Sequence, residues 1–151
     1  MVKISLKQIK SLREATGVGI MEAKKALTQG AGSEAKAREL LKQWGAEKLA
    51  GRADKKTEEG QVFAYVHSGG RIGSLVSLQC ETDFTAASAE FQALGKEVAL
   101  QVAGMEPKNV KALLAQAYIR DGSKTVADLV TELAAKVKEK IVVAAFERFT
   151  V

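Results

Sequence analysis

The sequence predicts an α+β chain, with an N-terminal three-helix module followed by a small antiparallel sheet of about three strands packed with helices. Three observations carry that prediction. Residues 1–50 hold short apolar stripes at helical spacing, punctuated by glycines. Two apolar runs, Val62 to His67 and Ile72 to Cys80, flank Ser68-Gly69-Gly70-Arg71, the pattern of a β-hairpin with a short glycine loop. Amphipathic helical stretches then lead to a closing segment, Ile141 to Val151, rich in β-branched and aromatic residues and suited to a third strand.

Element by element, Ser5 with Gln8 has the form of a capping box, and Leu6, Ile9 and Leu12 recur at helical spacing until Gly17 stops the first helix. Ile20 to Gln29 is the second, with Glu22 in its first turn and Gly30 at its end. Ser33 caps a third, whose Ala37, Leu40, Leu41 and Trp44 trace one face. None of these short helices buries a stripe alone, so they pack together, with Trp44 as the expected anchor. Residues 51–60 lack an apolar period and read as a solvated linker, which leaves 61–151 as the second domain. There, Val76, Leu78 and Cys80 alternate with Ser77, Gln79 and Glu81, so one face of the second strand is buried. A helix over Ser88 to Ala103, ended by Gly104 and Pro107, carries Phe91, Leu94, Val98 and Val102 on one stripe. A weaker helical segment near Lys108 to Ala117 and a polar turn at Asp121-Gly122-Ser123 lead to a helix over Val126 to Glu139. Thr125 and Asp128 cap that helix, and Leu129, Val130, Leu133 and Val137 form its inward side.

With 151 residues and 46% hydrophobic content the chain supports a conventional core. A single cysteine, Cys80, excludes an internal disulfide framework, and with His67 as the lone histidine a Cys/His zinc site is excluded too, so a reducing compartment is expected. The N-terminus shows no signal-peptide pattern, and no run of about eighteen apolar residues occurs, so a cytoplasmic protein without membrane association is expected. The formal net charge of +5 is uneven: residues 1–56 hold 13 Lys/Arg against 6 Asp/Glu, and residues 57–151 hold 10 against 12. A basic front speeds encounter with RNA, the ribosome or an acidic protein without selecting among them.

No enzyme site is legible. The chain offers no clustered metal ligands and no nucleophile with a base and an orienting group at recognisable spacing; Cys80 reads as a small core residue. Gly17-Val18-Gly19 fits tight turn geometry, and as a phosphate loop it fails because no Gly-Lys-Ser/Thr follows, so neither direct nucleotide binding nor a cofactor is expected. The sharpest feature is Cys80-Glu81-Thr82-Asp83-Phe84-Thr85, which sets an acid and a ring at a strand exit. Two readings of Phe84 are open: it packs under the next helix, or it is offered to a partner.

Leu12 to Met21 (LREATGVGIM) with Lys24-Lys25-Ala26-Leu27, followed by Cys80-Glu81-Thr82-Asp83-Phe84, resembles the elongation factor Ts family, the nucleotide exchange factors of elongation factor Tu. The resemblance continues through Phe91, Val98 to Val102, Met105, Pro107, Lys124 to Leu129 and Glu139-Lys140-Ile141, and so covers essentially the whole chain. It implies that residues 1–50 dock on the G domain of elongation factor Tu, with Arg13, Ile20 and Met21 as docking candidates. For Ile20 and Met21 the competing role is burial inside the three-helix module, and for Arg13 a solvated helix charge. It implies further that Thr82, Asp83, Phe84 and Thr85 form a tip that disturbs the magnesium and phosphates bound to the partner, without metal or covalent chemistry of its own. Two departures from the family stand out: Thr85 replaces a frequent valine, and the α+β unit is present in a single copy, which points to a homodimer whose 61–151 domains serve dimerisation and exchange. Of a different class is an RNA or ribosome-binding module using the basic front, although the chain has few aromatics for base stacking. A third reading, in which the front module is similar to ubiquitin-associated (UBA-like) domains, leaves the Asp83-Phe84 tip unused.

Overall fold

The computed structural model describes residues 3–151, and its chain divides into two units between Gly51 and Arg52. In the first, α1 (Leu6–Thr16), α2 (Ile20–Gln29) and α3 (Glu34–Ala50) enclose a small core of Ile9, Leu12, Ala23, Ala26, Leu27, Ala37 and Leu41. Ser5 and Gln8 form the expected capping box, and Gly17 closes α1 in the left-handed region (φ 72°), where a side chain would be strained. Leu12 and Leu27 are fully buried, each contributing roughly 2 kcal/mol by area removed from water. They anchor the module. Trp44 is only half-buried at the edge of this core, with the Lys25 ammonium 4.8 Å from its ring centroid. Leu6 also departs from expectation: its position in the first turn carries it past the packed interface, and it is 85% exposed.

In the second unit β1 (Glu59–Val66), β2 (Ile72–Cys80) and β5 (Ile141–Thr150) form an antiparallel sheet in the order β1-β2-β5. Between β2 and β5 run α4 (Asp83–Ala86), α5 (Ala89–Met105), α6 (Val110–Ala115), the short strands β3 (Ala117–Tyr118) and β4 (Asp121–Thr125), and α7 (Val126–Val137). One sheet face carries Phe63, Val76, Leu78, Cys80, Ile141 and Val143 against α5, where the Phe63 and Phe91 rings lie 6.0 Å apart, tilted by 56°. Ser74 secures the contact by donating its hydroxyl to the Ala99 carbonyl at 2.6 Å. The β2–β5 register shifts between Ser77 and Leu78: Leu78 faces Val143 while Ser77 faces Ala145, which leaves Ala144 as a bulge. That extra residue keeps Phe146 and Arg148 on the helix side, where Arg148 donates to the Ala103 carbonyl at 3.0 Å.

Three boundaries differ from those the periodicity suggests. Asp121-Gly122-Ser123 belongs to β4, paired with β3 in a two-stranded sheet rather than forming a polar turn. The cause is the buried amide of Gln101, which donates to the Ala117 carbonyl and accepts from the Ile119 N–H at 2.8 Å. Helix α5 runs on to Met105 because Glu106, not Gly104, adopts the left-handed cap (φ 49°), and Lys138 (φ 60°) likewise ends α7 before Glu139. Residues 52–55 are fastened to the second unit, as described below, and β1 already begins at Glu59.

Among the described residues of the second unit, none covers the other face of the sheet. Val62 and Val66 (both 67% exposed), Leu75 (45%) and Phe149 (64%) share it with Ala64 and Ala145, and Ala64, Val66, Leu75 and Phe149 line a shallow depression of about 280 Å³.

Candidate functional site

The strand exit after Cys80 is built by replacing ladder hydrogen bonds with side-chain ones. The β2–β5 pairing closes at Cys80 opposite Ile141. Beyond it, the Glu81 carboxylate accepts the Lys140 N–H at 2.6 Å, together with two guanidinium bonds from Arg52 at 2.8 and 2.5 Å. The Lys140 ammonium reaches back to the Ala53 carbonyl at 2.6 Å, so the start of the supposed linker is tied down here. Arg52 and then the Lys140 N–H hold the Glu81 carboxyl at about 2, against an opposing push from desolvation.

One residue further, Glu139 takes both polar groups of Thr82: the N–H at 3.2 Å and the hydroxyl at 2.6 Å. The same hydroxyl oxygen accepts the Thr85 N–H at 3.3 Å and so caps α4, while Asp83 accepts the Phe84 N–H at 2.8 Å. Ser88 locks the far end, with its hydroxyl on the Thr85 carbonyl at 2.8 Å. Every backbone constraint thus falls around Phe84 and none on its ring, which is 85% exposed. Phe84 therefore does not pack under the next helix.

The four tip residues do not all face the same way. Thr82, Asp83 and Phe84 are exposed, whereas Thr85 is buried (4% exposed) with Ala86 under the turn. Cys80 is fully buried, its thiol pushed up by burial, in keeping with a packing role. In the first unit Arg13, Ile20 (57%) and Met21 (75%) are all exposed, which removes burial as the alternative for Ile20 and Met21. Leu6 joins them as an exposed apolar residue that the spacing had assigned inward. Arg52, Glu81 and Glu139 were missed as functional candidates; Glu81 and Glu139 lie 58 positions apart in sequence, and nothing local signals that the β2–β5 pairing brings them together. Among the described residues no group of three or more His, Cys, Asp or Glu is placed to hold a metal ion, and no helix is long and apolar enough to cross a membrane.

The family described as Elongation factor TS matches residues 81–151, which begin at Glu81 beside the tip. Over nearly the full chain the protein is similar to curated elongation factor Ts proteins. That of Leptospira biflexa serovar Patoc is 40% identical, covering 98% of each chain. That of Thermoanaerobacter sp. (strain X514) is 37% identical over 97% of this chain and 94% of the relative. That of Syntrophobacter fumaroxidans is 35% identical over 98% and 96%. The first alignment runs over 193 positions against a chain of 151 residues, so that relative carries at least 42 residues with no counterpart here. By these similarities over nearly its full length, the chain belongs to the elongation factor Ts family.

Proposed function

We propose that this protein is the guanine nucleotide exchange factor of elongation factor Tu, and that Phe84 is the part that loosens GDP. The observation that carries the proposal is an exposed phenyl ring on a turn whose backbone is fixed from both sides. Exposing a ring to water while immobilising its backbone gains nothing for the free protein, and serves a wedge that must enter a partner without losing entropy on arrival. Tight guanine-nucleotide binding rests on backbone donors, a lysine and magnesium converging on phosphate, and a ring inserted beside them spreads those groups using roughly 2 kcal/mol of apolar burial. Asp83 at the base of the ring perturbs the magnesium-water shell electrostatically. Thr85, being buried, acts from beneath by filling the turn, so the threonine in place of a frequent valine alters the seat of the tip more than its grip.

Arg13, Ile20 and Met21 dock the first unit on the G domain, which the exposure of two large apolar side chains on a basic module supports. Coupling between factor and nucleotide is reciprocal: a factor that weakens GDP is expelled as GTP and magnesium rebind. The uncovered sheet face supports a homodimer, since Val62, Val66, Leu75 and Phe149 form an apolar surface that a second copy would cover.

The test is release of a fluorescent GDP analogue from elongation factor Tu, followed by stopped flow across a range of factor concentrations. The expected result is a large acceleration reaching a plateau, with Ile20→Ala/Met21→Ala raising the half-saturating concentration several-fold and leaving the plateau unchanged. No acceleration by folded protein, with salt-sensitive binding to RNA instead, would overturn the proposal.

A further inference from the structure

Among the acids around the tip, Glu139 makes its side-chain hydrogen bonds to Thr82. Glu81 is engaged by Arg52 and by the Lys140 N–H, and through them holds residues 52–55. Glu139 instead gives both carboxylate oxygens to one residue, Thr82, at 3.2 and 2.6 Å. It can do so because Lys138 takes the left-handed conformation at the end of α7, with the Glu139 N–H returning to the Ala134 carbonyl at 3.2 Å, which turns the chain toward the strand exit. Thr82 is the pivot of the tip: its hydroxyl donates to Glu139 while its oxygen accepts the Thr85 N–H, so the carboxylate polarises the group that caps α4. Without Glu139, the Thr82 hydroxyl is free to rotate away from its capping orientation, and the Asp83-Phe84 pair rides on a turn closed by local bonds alone.

We propose that Glu139 is the positioning residue of the exchange tip: by clamping Thr82 from the turn between α7 and β5 it sets the direction in which Phe84 is presented. The proposal rests on the exchange reading above. Glu139 touches neither partner nor nucleotide in this account, and acts through Thr82.

Reach and charge make separate predictions. Glu139→Asp keeps the charge and withdraws the carboxylate by one methylene. Glu139→Gln removes the charge and keeps the length, with an oxygen to accept the Thr82 N–H and an amide NH2 that donates to the Thr82 hydroxyl oxygen, reversing that second bond. At saturating factor, Glu139→Asp is expected to lower the plateau rate of GDP release about tenfold, the effect of losing two such hydrogen bonds, and Glu139→Gln to stay within about threefold of wild type. The half-saturating concentration should not move in either variant. In a Phe84→Ala background Glu139→Asp should cost far less, because only Asp83 remains to be aimed. Melting temperatures of all variants establish that each is folded at the assay temperature.

Three results would overturn the inference: equal plateaus for wild type and Glu139→Asp, a larger loss in Glu139→Gln than in Glu139→Asp, or the same loss with and without the Phe84 ring. Failure of wild type to accelerate release would instead sink the exchange reading itself, so the two failures are distinguishable.

Discussion

At the scale of single residues, the strand exit divides its work between two glutamates. Glu81 is the structural one. Arg52 and the Lys140 N–H hold its carboxyl at about 2 in the folded chain against an ordinary 4.5, so the folded state favours the charged form. That contribution is fully present above 4.5 and is lost as pH falls from 4.5 toward about 2. Arg52→Ala should therefore lower the melting temperature at neutral pH, and its deficit relative to wild type should shrink as pH falls through that window; a deficit independent of pH would contradict the assignment. Composition and spacing marked Thr82, Asp83 and Phe84 as unusual, because a ring beside an acid in a connection is hard to bury. They could not mark the glutamates, whose partners are supplied by strand pairing between residues far apart in sequence.

At the scale of elements, the helices were legible wherever a cap and a stripe agreed. Ser5 with Gln8, Ser33, and Thr125 with Asp128 all cap where the sequence placed them, and Ser88, read as the first helical residue, caps α5 instead. The ends were less legible, because Glu106 and Lys138 take left-handed conformations that sequence assigns to glycine. The β3–β4 pair was invisible for a similar reason, since its stability comes from the Gln101 amide rather than from alternation. The contact between α5 and the sheet gives a sharp test. A Cβ at Gly95 would overlap the Phe63 ring, which is itself packed against Phe91. Gly95→Ala gains about 1 kcal/mol of helix propensity, yet overpacking costs typically 1–3 kcal/mol, so a net loss of stability is expected. Chemical denaturation that showed Gly95→Ala as more stable than wild type would refute this packing.

At the scale of the whole molecule, a module of three short helices and an α+β unit were foreseeable from periodicity alone, and the open sheet face was not. Alternation tells which residues share a face of a strand; it does not tell whether anything covers that face. Here Val62, Val66, Leu75 and Phe149 are left exposed together. With a second copy on this face, Leu75→Glu should dissociate the protein at micromolar concentration in sedimentation experiments, while the melting of the second unit changes little. Wild type that is monomeric under the same conditions and fully active would rule out the dimer.

All of these expectations converge on one ring. The decisive measurement is the plateau rate of GDP release from elongation factor Tu with saturating wild type and saturating Phe84→Ala, both verified as folded. Removing about 2 kcal/mol of apolar insertion should lower the plateau about thirtyfold, and the half-saturating concentration should change far less, because the proposed docking residues Arg13, Ile20 and Met21 are in the first unit. Equal plateaus for the two proteins would contradict the account and place the exchange chemistry elsewhere on the molecule.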